Sequence, residues 1–183
     1  MQKYFVFLDR DGVINKKLEN DYVKKIDELE FLPYAAEAIK NLNDVFARTI
    51  IVTNQRGIGR GLMSEEDLSL IHRHMLSELK KKGAKIDAIY FCPHDNEVQF
   101  CECRKPNIGM ALKAKSDFPE IDFSKSFIVG DSVSDMEFGR NAGMLKIYIG
   151  ESDENLSREL YDYQFKSLYD FSIWAKNELK NFK

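Results

Sequence analysis

No long hydrophobic run opens this sequence. The first residues, MQKYFVFLDRDG, hold only five consecutive apolar or aromatic residues, Tyr4 to Leu8, before charges begin. That is too short for a signal-peptide core or a membrane span, so the protein is expected in the cytoplasm with no membrane partner. An excess of positive charge is also missing. Lys and Arg number 27 against 30 Asp and Glu, a formal net charge of −3, which leaves no general basic field for a nucleic-acid backbone. Lys16, Lys17, Arg56 and Arg60 remain as local cations for a small anion pocket. Proline (4) and glycine (10) are scarce among 183 residues of which 44% are hydrophobic, a composition that reads as one globular domain over residues 1–183. The three cysteines are an odd number and cannot complete a disulfide framework, which favours a reducing compartment.

What is present is alternation. YFVFL (4–8), RTIIVT (48–53), AIYFC (88–92), SFIVG (126–130) and LKIYIG (145–150) have the length and β-branched or aromatic content of buried strands. Helical patterns lie between them. PYAAEAIKNLND begins with a proline suited to a first helical turn, and SEEDLSLIHRHMLSELKKK opens on Ser64 as N-cap, with acids first and lysines last. GMALKAKSDF and VSDMEFGRNAG, the latter closed by Gly143, are shorter candidates, and the tail from Glu151 predicts a short strand and a terminal helix. The order predicts an α/β fold, a Rossmann-like doubly wound parallel sheet. His72 and His74 are expected on a helix surface, and Trp174 in packing.

In such sheets ligands bind beyond the carboxyl ends of the strands. The first strand ends in DRDGVIN, with Asp9 and Asp11 two residues apart, and the fourth in GDSVSD, with Asp131 at its tip and Asp135 one turn on. Carboxylates at two strand tips make a hard oxygen site of the kind magnesium prefers. The second strand ends in TNQRG, where Thr53, Asn54 and Gln55 offer donors for an oxyanion, and Lys105 adds a fixed charge. Taken singly, Asp-x-Asp-Gly also suits a turn, Gly-Asp is common and a lone lysine suits a surface. Their order along one parallel sheet favours chemistry.

All three cysteines fall within FCPHDNEVQFCEC: Cys92-x-His94, six residues, then Cys101-x-Cys103. Three sulfurs and one imidazole close a tetrahedral zinc site with no open position, hence a structural one. The alternative is three buried thiols with His94 on the surface. Arg104 and Lys105 follow the last ligand directly, so zinc would hold them over the strand tips.

These motifs resemble the haloacid dehalogenase superfamily of phosphohydrolases, matched by DRDGV, TNQ, RKP and GDSVSDM over roughly residues 4 to 150. The subfamily of heptose-bisphosphate and histidinol-phosphate phosphatases is similar in TNQ-x-G, CPH, C-x-CRKP and GD. The resemblance implies a nucleophile at Asp9, an acid/base at Asp11, and stabilisation of the phosphoryl oxygens by Thr53 and Lys105. It implies magnesium held by Asp9, Asp131 and the backbone carbonyl of Asp11, and structural zinc on Cys92, His94, Cys101 and Cys103. Asn54, Gln55, Arg56 and Arg104 would hold a small sugar phosphate. Residues 14 to 33 are too few for a large cap domain. The activity implied is removal of the C7 phosphate from D-glycero-D-manno-heptose 1,7-bisphosphate, toward activated heptose for surface polysaccharide, by a monomer. The six-residue gap before Cys101 is close to that of the histidinol-phosphate enzymes, which keeps histidinol phosphate as the alternative. A non-catalytic zinc-containing phospho-ligand module is a third reading, against which the intact Asp9 and Asp11 argue.

Overall fold

The apolar runs form the strands of one sheet in a computed structural model of the protein, which describes residues 4–151 and 157–179. In chain order the elements are β1 (Phe5–Leu8), α1 (Ala35–Asn43), β2 (Arg48–Asn54), α2 (Arg56–Gly59), α3 (Glu65–Lys81), β3 (Ala88–Cys92), α4 (Gly109–Asp117), β4 (Ser126–Gly130), α5 (Val133–Ala142), β5 (Leu145–Ile149), β6 (Tyr163–Phe165) and α6 (Leu168–Glu178). The spatial order is β3-β2-β1-β4-β5-β6, and every neighbouring pair is parallel. The chain winds outward from β1 through β2 and β3, then returns to β4 on the other side of β1. The switch point therefore lies between β1 and β4, where Leu8 pairs with Val129, and the crevice beyond that pair is where this topology places ligands.

Side-chain alternation divides the core in two. Val6 and Leu8 join Ile51, Val129 and Ile147 under α1, α3 and α6, whereas Phe5 and Phe7 join Ile50, Val52 and Ile128 under α4 and α5. With helices on both faces, β1 and β4 are buried throughout, which is why they read as continuous apolar runs. Each fully buried Leu, Ile or Phe contributes about 1.5–3 kcal/mol.

The caps follow the sequence with one exception. Ser64 accepts from the Asp67 amide in a reciprocal capping box, and Gly143 ends α5 in the left-handed region at φ 75°. Pro33, however, lies outside α1. The Leu32 amide is committed to the Ile14 carbonyl at 2.9 Å, and Tyr34 turns through φ 59° before the helix begins at Ala35. Between β1 and α1 lie a 3-10 turn, Ile26–Glu28, and isolated β-bridges that join Asn15 to Asp11 and Phe31, with no cap domain. Residues 93–108 form neither helix nor strand. The tail supplies β6 and α6, with Trp174 packed on Phe165 and Phe171 at centroid distances of 5.6 and 6.0 Å.

Candidate active site

Asp9 extends the β1 ladder by one bond, its amide donating to the Val129 carbonyl at 2.9 Å. Its carboxylate thereby enters the crevice, where the side chain is only 11% exposed. Asp131 leaves the tip of β4 toward the same point. A Cβ on Gly12, which has φ +92°, would stand 2.2 Å from Asp131 Oδ2, so glycine is what permits the β1 loop and Asp131 to meet. Gly130 plays the same part for Asp135, whose Cβ would be 2.2 Å from a Cβ there.

Lys105 crosses the floor of the crevice. Its buried ammonium donates to Asp9 Oδ1 at 2.8 Å and to the Val52 carbonyl at 2.7 Å, and pairs with Asp135 Oδ1 at 2.6 Å. Burial opposes its charge, but Asp135 and Asp9 outweigh that and raise its pKa above the ordinary lysine value. Asp135 thus has two tasks: one oxygen holds Lys105, and the other accepts from the Ser132 amide and hydroxyl at 3.1 and 2.6 Å, capping α5. Burial pushes Asp9 up to about 7, with Lys105 pulling down and Asp135, Asp131 and Asp11 adding to the rise.

Asp11 sits among donors. Arg10 reaches its Oδ1 from Nη2 at 2.8 Å and Nε at 3.2 Å, Asn15 Nδ2 donates to the same oxygen at 2.9 Å, and Gln55 Nε2 donates to Oδ2 at 2.9 Å. Burial raises its pKa, yet the Arg10 charge and these hydrogen bonds lower it below the ordinary carboxylate value. The acid role implied for Asp11 needs a proton on it at the start, whereas Arg10 and these hydrogen bonds favour the ionised carboxylate. Arg10 is wholly buried and its Nη1 lies 3.2 Å from His72 Nε2. Arginine only donates, so Nε2 accepts. Burial first, then Arg10, lowers the His72 pKa to about 3, and His72 is neutral. This corrects its expected surface place: His72 is 8% exposed, because α3 turns that face onto the β1 loop.

The TNQ residues serve the site mostly from behind. Thr53 Oγ1 accepts from Gln55 Nε2 at 2.9 Å, so Gln55 bridges Thr53 and Asp11. Asn54 clamps the backbone of Lys105 in both directions, at 3.0 and 3.2 Å. Thr53, Asn54 and Arg104 line the cleft of about 210 Å³ over Asp9, together with Lys17, Ser132 and Ser134. Arg104 Nη1 is buried without a hydrogen-bond partner. Arg56 is engaged elsewhere, by Asp95 and Glu97 at 2.5 Å each. Those carboxylates belong to the cysteine loop, and Arg60 pairs with both as well, at 3.3 and 3.2 Å. A larger groove of about 520 Å³, along Phe31, Tyr34 and Leu79, includes none of the strand-tip residues.

Two donor sets suit metals. Ligand atoms of Asp9, Asp131 and Asp135 lie within 4.8 Å of one another. Asp131 Oδ1 is buried with no hydrogen-bond partner, and the crowding raises Asp9. An oxygen-preferring cation relieves both conditions, so the residues fit magnesium. The Asp11 side chain faces its donors and is not in this set, while Asp135 is. The second set is Cys92, His94, Cys101 and Cys103. Cys92 Sγ lies 3.6 Å from Cys101 Sγ and 3.1 Å from Cys103 Sγ, and His94 Nδ1 lies 3.6 and 3.1 Å from Cys92 and Cys103 Sγ. All three cysteines are free thiols. Tetrahedral zinc with bonds of about 2.3 Å spaces its sulfurs by roughly 3.8 Å, so the donors are already gathered to about that spacing.

A family profile described as polynucleotide kinase 3 phosphatase matches residues 4–172. The chain is 44% identical over 178 residues to D-glycero-alpha-D-manno-heptose-1,7-bisphosphate 7-phosphatase of Campylobacter jejuni subsp. jejuni serotype O:2, covering 97% of this chain and 99% of the relative. It is 44% identical over 144 residues to D-glycero-beta-D-manno-heptose-1,7-bisphosphate 7-phosphatase of Rhodopseudomonas palustris, covering 75% and 78%. Among solved structures it is similar to D,D-heptose 1,7-bisphosphate phosphatase from B. bronchiseptica complexed with magnesium and phosphate, with a TM-score of 0.84, 29% identity, and coverage of 96% of this chain and 99% of that one.

Proposed function

The chain belongs to the polynucleotide kinase 3 phosphatase family within the haloacid dehalogenase-type phosphatases, and on that premise we propose that it removes the C7 phosphate of D-glycero-alpha-D-manno-heptose 1,7-bisphosphate. The observation that carries the reading is Asp9 itself: a buried carboxylate at the switch point, held by Lys105 opposite the unpartnered Asp131 Oδ1. What supports the α anomer in this reading is that the α-named relative covers 97% of this chain, against 75% for the equally identical β-named one.

Asp9 attacks phosphorus as the bond to the C7 oxygen breaks, giving an aspartyl-phosphate. Asp11 gives a proton to the departing oxygen, then takes one from the water that releases phosphate. Its ionised resting state suits the second task. For the first, the incoming phosphate brings like charge beside it, which opposes the lowering by Arg10. Lys105 and the Thr53 hydroxyl face the phosphoryl oxygens, and Arg104 holds the sugar phosphate. Gln55 and Asn54 position Asp11 and Lys105, and Arg56 ties α2 to the cysteine loop. Magnesium, held by Asp9, Asp131 and the Asp11 carbonyl, would supply positive charge to the phosphoryl group.

Zinc on Cys92, His94, Cys101 and Cys103 is structural in this reading and holds Arg104 and Lys105 over the cleft. The free thiols suit a reducing cytoplasm, and among the described residues no helix is long and apolar enough to cross a membrane. The packing of α6 on α1 through Lys176 and Asn41 supports one domain over residues 1–183.

The test is phosphate release, with magnesium, from both heptose 1,7-bisphosphate anomers and from histidinol phosphate, for wild type and Asp9→Asn. The expected result is at least about tenfold higher kcat/KM for the α anomer, lost in Asp9→Asn. Preference for histidinol phosphate would overturn the substrate and keep the chemistry.

A further inference from the structure

The Lys17 ammonium lies 2.9 Å from Asp131 Oδ2, the carboxylate offered to the metal, while its own side chain is 55% exposed at the mouth of the cleft. We propose that Lys17 is the anchor for the second phosphate of the substrate, parked on Asp131 until a divalent cation takes that carboxylate. The anchor role rests on the bisphosphate reading above; the displacement from Asp131 does not.

The exposed or half-buried cations around this end of the sheet have partners outside the carboxylate cluster, which metal loading would leave in place. Lys16 pairs with Glu30 at 2.5 Å, Lys24 with Asp21 at 2.5 Å, and Arg56 and Arg60 with Asp95 and Glu97. Lys105 pairs with two members of the carboxylate cluster, Asp9 and Asp135, but is buried on the floor and also donates to the Val52 carbonyl, which keeps it in place. Lys17 differs from both kinds: its side chain is exposed and its partner belongs to the cluster that would receive the cation. A divalent ion on Asp131 repels the ammonium and competes for its carboxylate. Once displaced, Lys17 finds no free carboxylate on the cleft wall: Asp11 is held by Arg10, and Asp9 and Asp135 by Lys105.

What stands near it instead is Arg104, which lines the same cleft, pairs with no carboxylate among the described residues, and has Nη1 buried without a partner. Two cations left without counterions flank one opening, which suits a second phosphate dianion on a substrate whose first phosphate meets Asp9. Lys17 also lies in residues 16–25, which form no helix or strand, so a flexible four-carbon stem is carried on irregular backbone. Loading the metal would thus prepare the site for a bisphosphate over a monophosphate.

The experiment compares wild type, Lys17→Met and Lys16→Met. Manganese binding to the substrate-free proteins is titrated by electron paramagnetic resonance. Lys17→Met is expected to bind it about two- to fivefold more tightly, the range of an exposed ion pair removed from competition, with Lys16→Met unchanged. In turnover, Lys17→Met is expected to raise KM for the bisphosphate about tenfold, the scale of one charge-assisted contact, with kcat nearly unchanged and KM for a sugar monophosphate unmoved. Equal manganese affinity in wild type and Lys17→Met would overturn the displacement. Bisphosphate turnover with unchanged KM in Lys17→Met would overturn the anchor alone, whereas a wild-type enzyme that leaves the bisphosphate intact would overturn the substrate reading and the anchor with it.

Discussion

The ammonium of Lys105 stands 2.8 Å from Oδ1 of Asp9, 96 residues away in the chain and sealed from water on the floor of the crevice. Removing it leaves Asp9 and Asp135 facing each other without a counter-charge. Lys105→Met is expected to lower stability by about 3–5 kcal/mol and kcat by about 10²- to 10³-fold. Urea unfolding and steady-state kinetics would check both, and a variant of wild-type stability would show that the pair is not the keystone described.

The raised pKa of Asp9 makes a signed prediction. Between its ordinary value of 3.8 and about 7, the folded protein binds more protons at Asp9 than the unfolded chain. Its contribution to stability therefore falls as pH rises through that window. Without metal, Asp9→Asn is expected to gain on wild type from pH 4 to 7, by on the order of a few kcal/mol, and added magnesium should narrow the difference. Thermal unfolding of both proteins across pH would show a flat difference if the carboxylate were ionised throughout.

His72 carries the opposite slope. Its folded pKa of about 3 lies below the ordinary 6.5, so its contribution is present above pH 6.5 and is lost as pH falls toward 3. His72→Gln, which keeps an acceptor for Arg10, is expected to unfold less readily in acid than wild type. His72→Leu leaves the Arg10 Nη1 group unpartnered and should cost about 1–3 kcal/mol at neutral pH.

Elemental analysis is expected to find one zinc per chain, and Cys103→Ser to lose it. Secondary structure by circular dichroism should survive, because residues 93–108 contribute no helix or strand. Their proteolysis should quicken and kcat fall about tenfold or more, as when the support of a site is loosened. A zinc-free protein of full activity would mean that the thiols only pack.

Gly12→Ala would place a methyl 2.2 Å from Asp131 Oδ2 at a φ of +92°. Asp131 must then retreat, and a drop in kcat of at least about tenfold is expected, with about 1–3 kcal/mol of lost stability.

Much of this was legible in the sequence. Short β-branched and aromatic runs alternating with amphipathic stretches specify a parallel sheet, and a parallel sheet puts its chemistry at strand ends. That is why Asp9, Thr53 and Asp131 stand out in the sequence alone. The paired spacings of Cys92, His94, Cys101 and Cys103 are equally local, since a ligand cluster on one short loop closes on itself. What each neighbour does was not legible, because it depends on which distant group arrives. His72 reads as helix surface until α3 sets it against Arg10, 62 residues earlier. Arg56 reads as a phosphate ligand until Asp95 and Glu97 occupy it. Asp11 reads as a proton-bearing acid until Arg10, Asn15 and Gln55 converge on it. The sequence by itself determined the sheet, the strand-tip carboxylates and the cysteine cluster, through patterns that act over a few residues. Only the tertiary structure decided which carboxylates are held ionised, which cations are taken and which, like Lys17, have a partner they can lose, because charge pairing in a buried site is settled by distance in space.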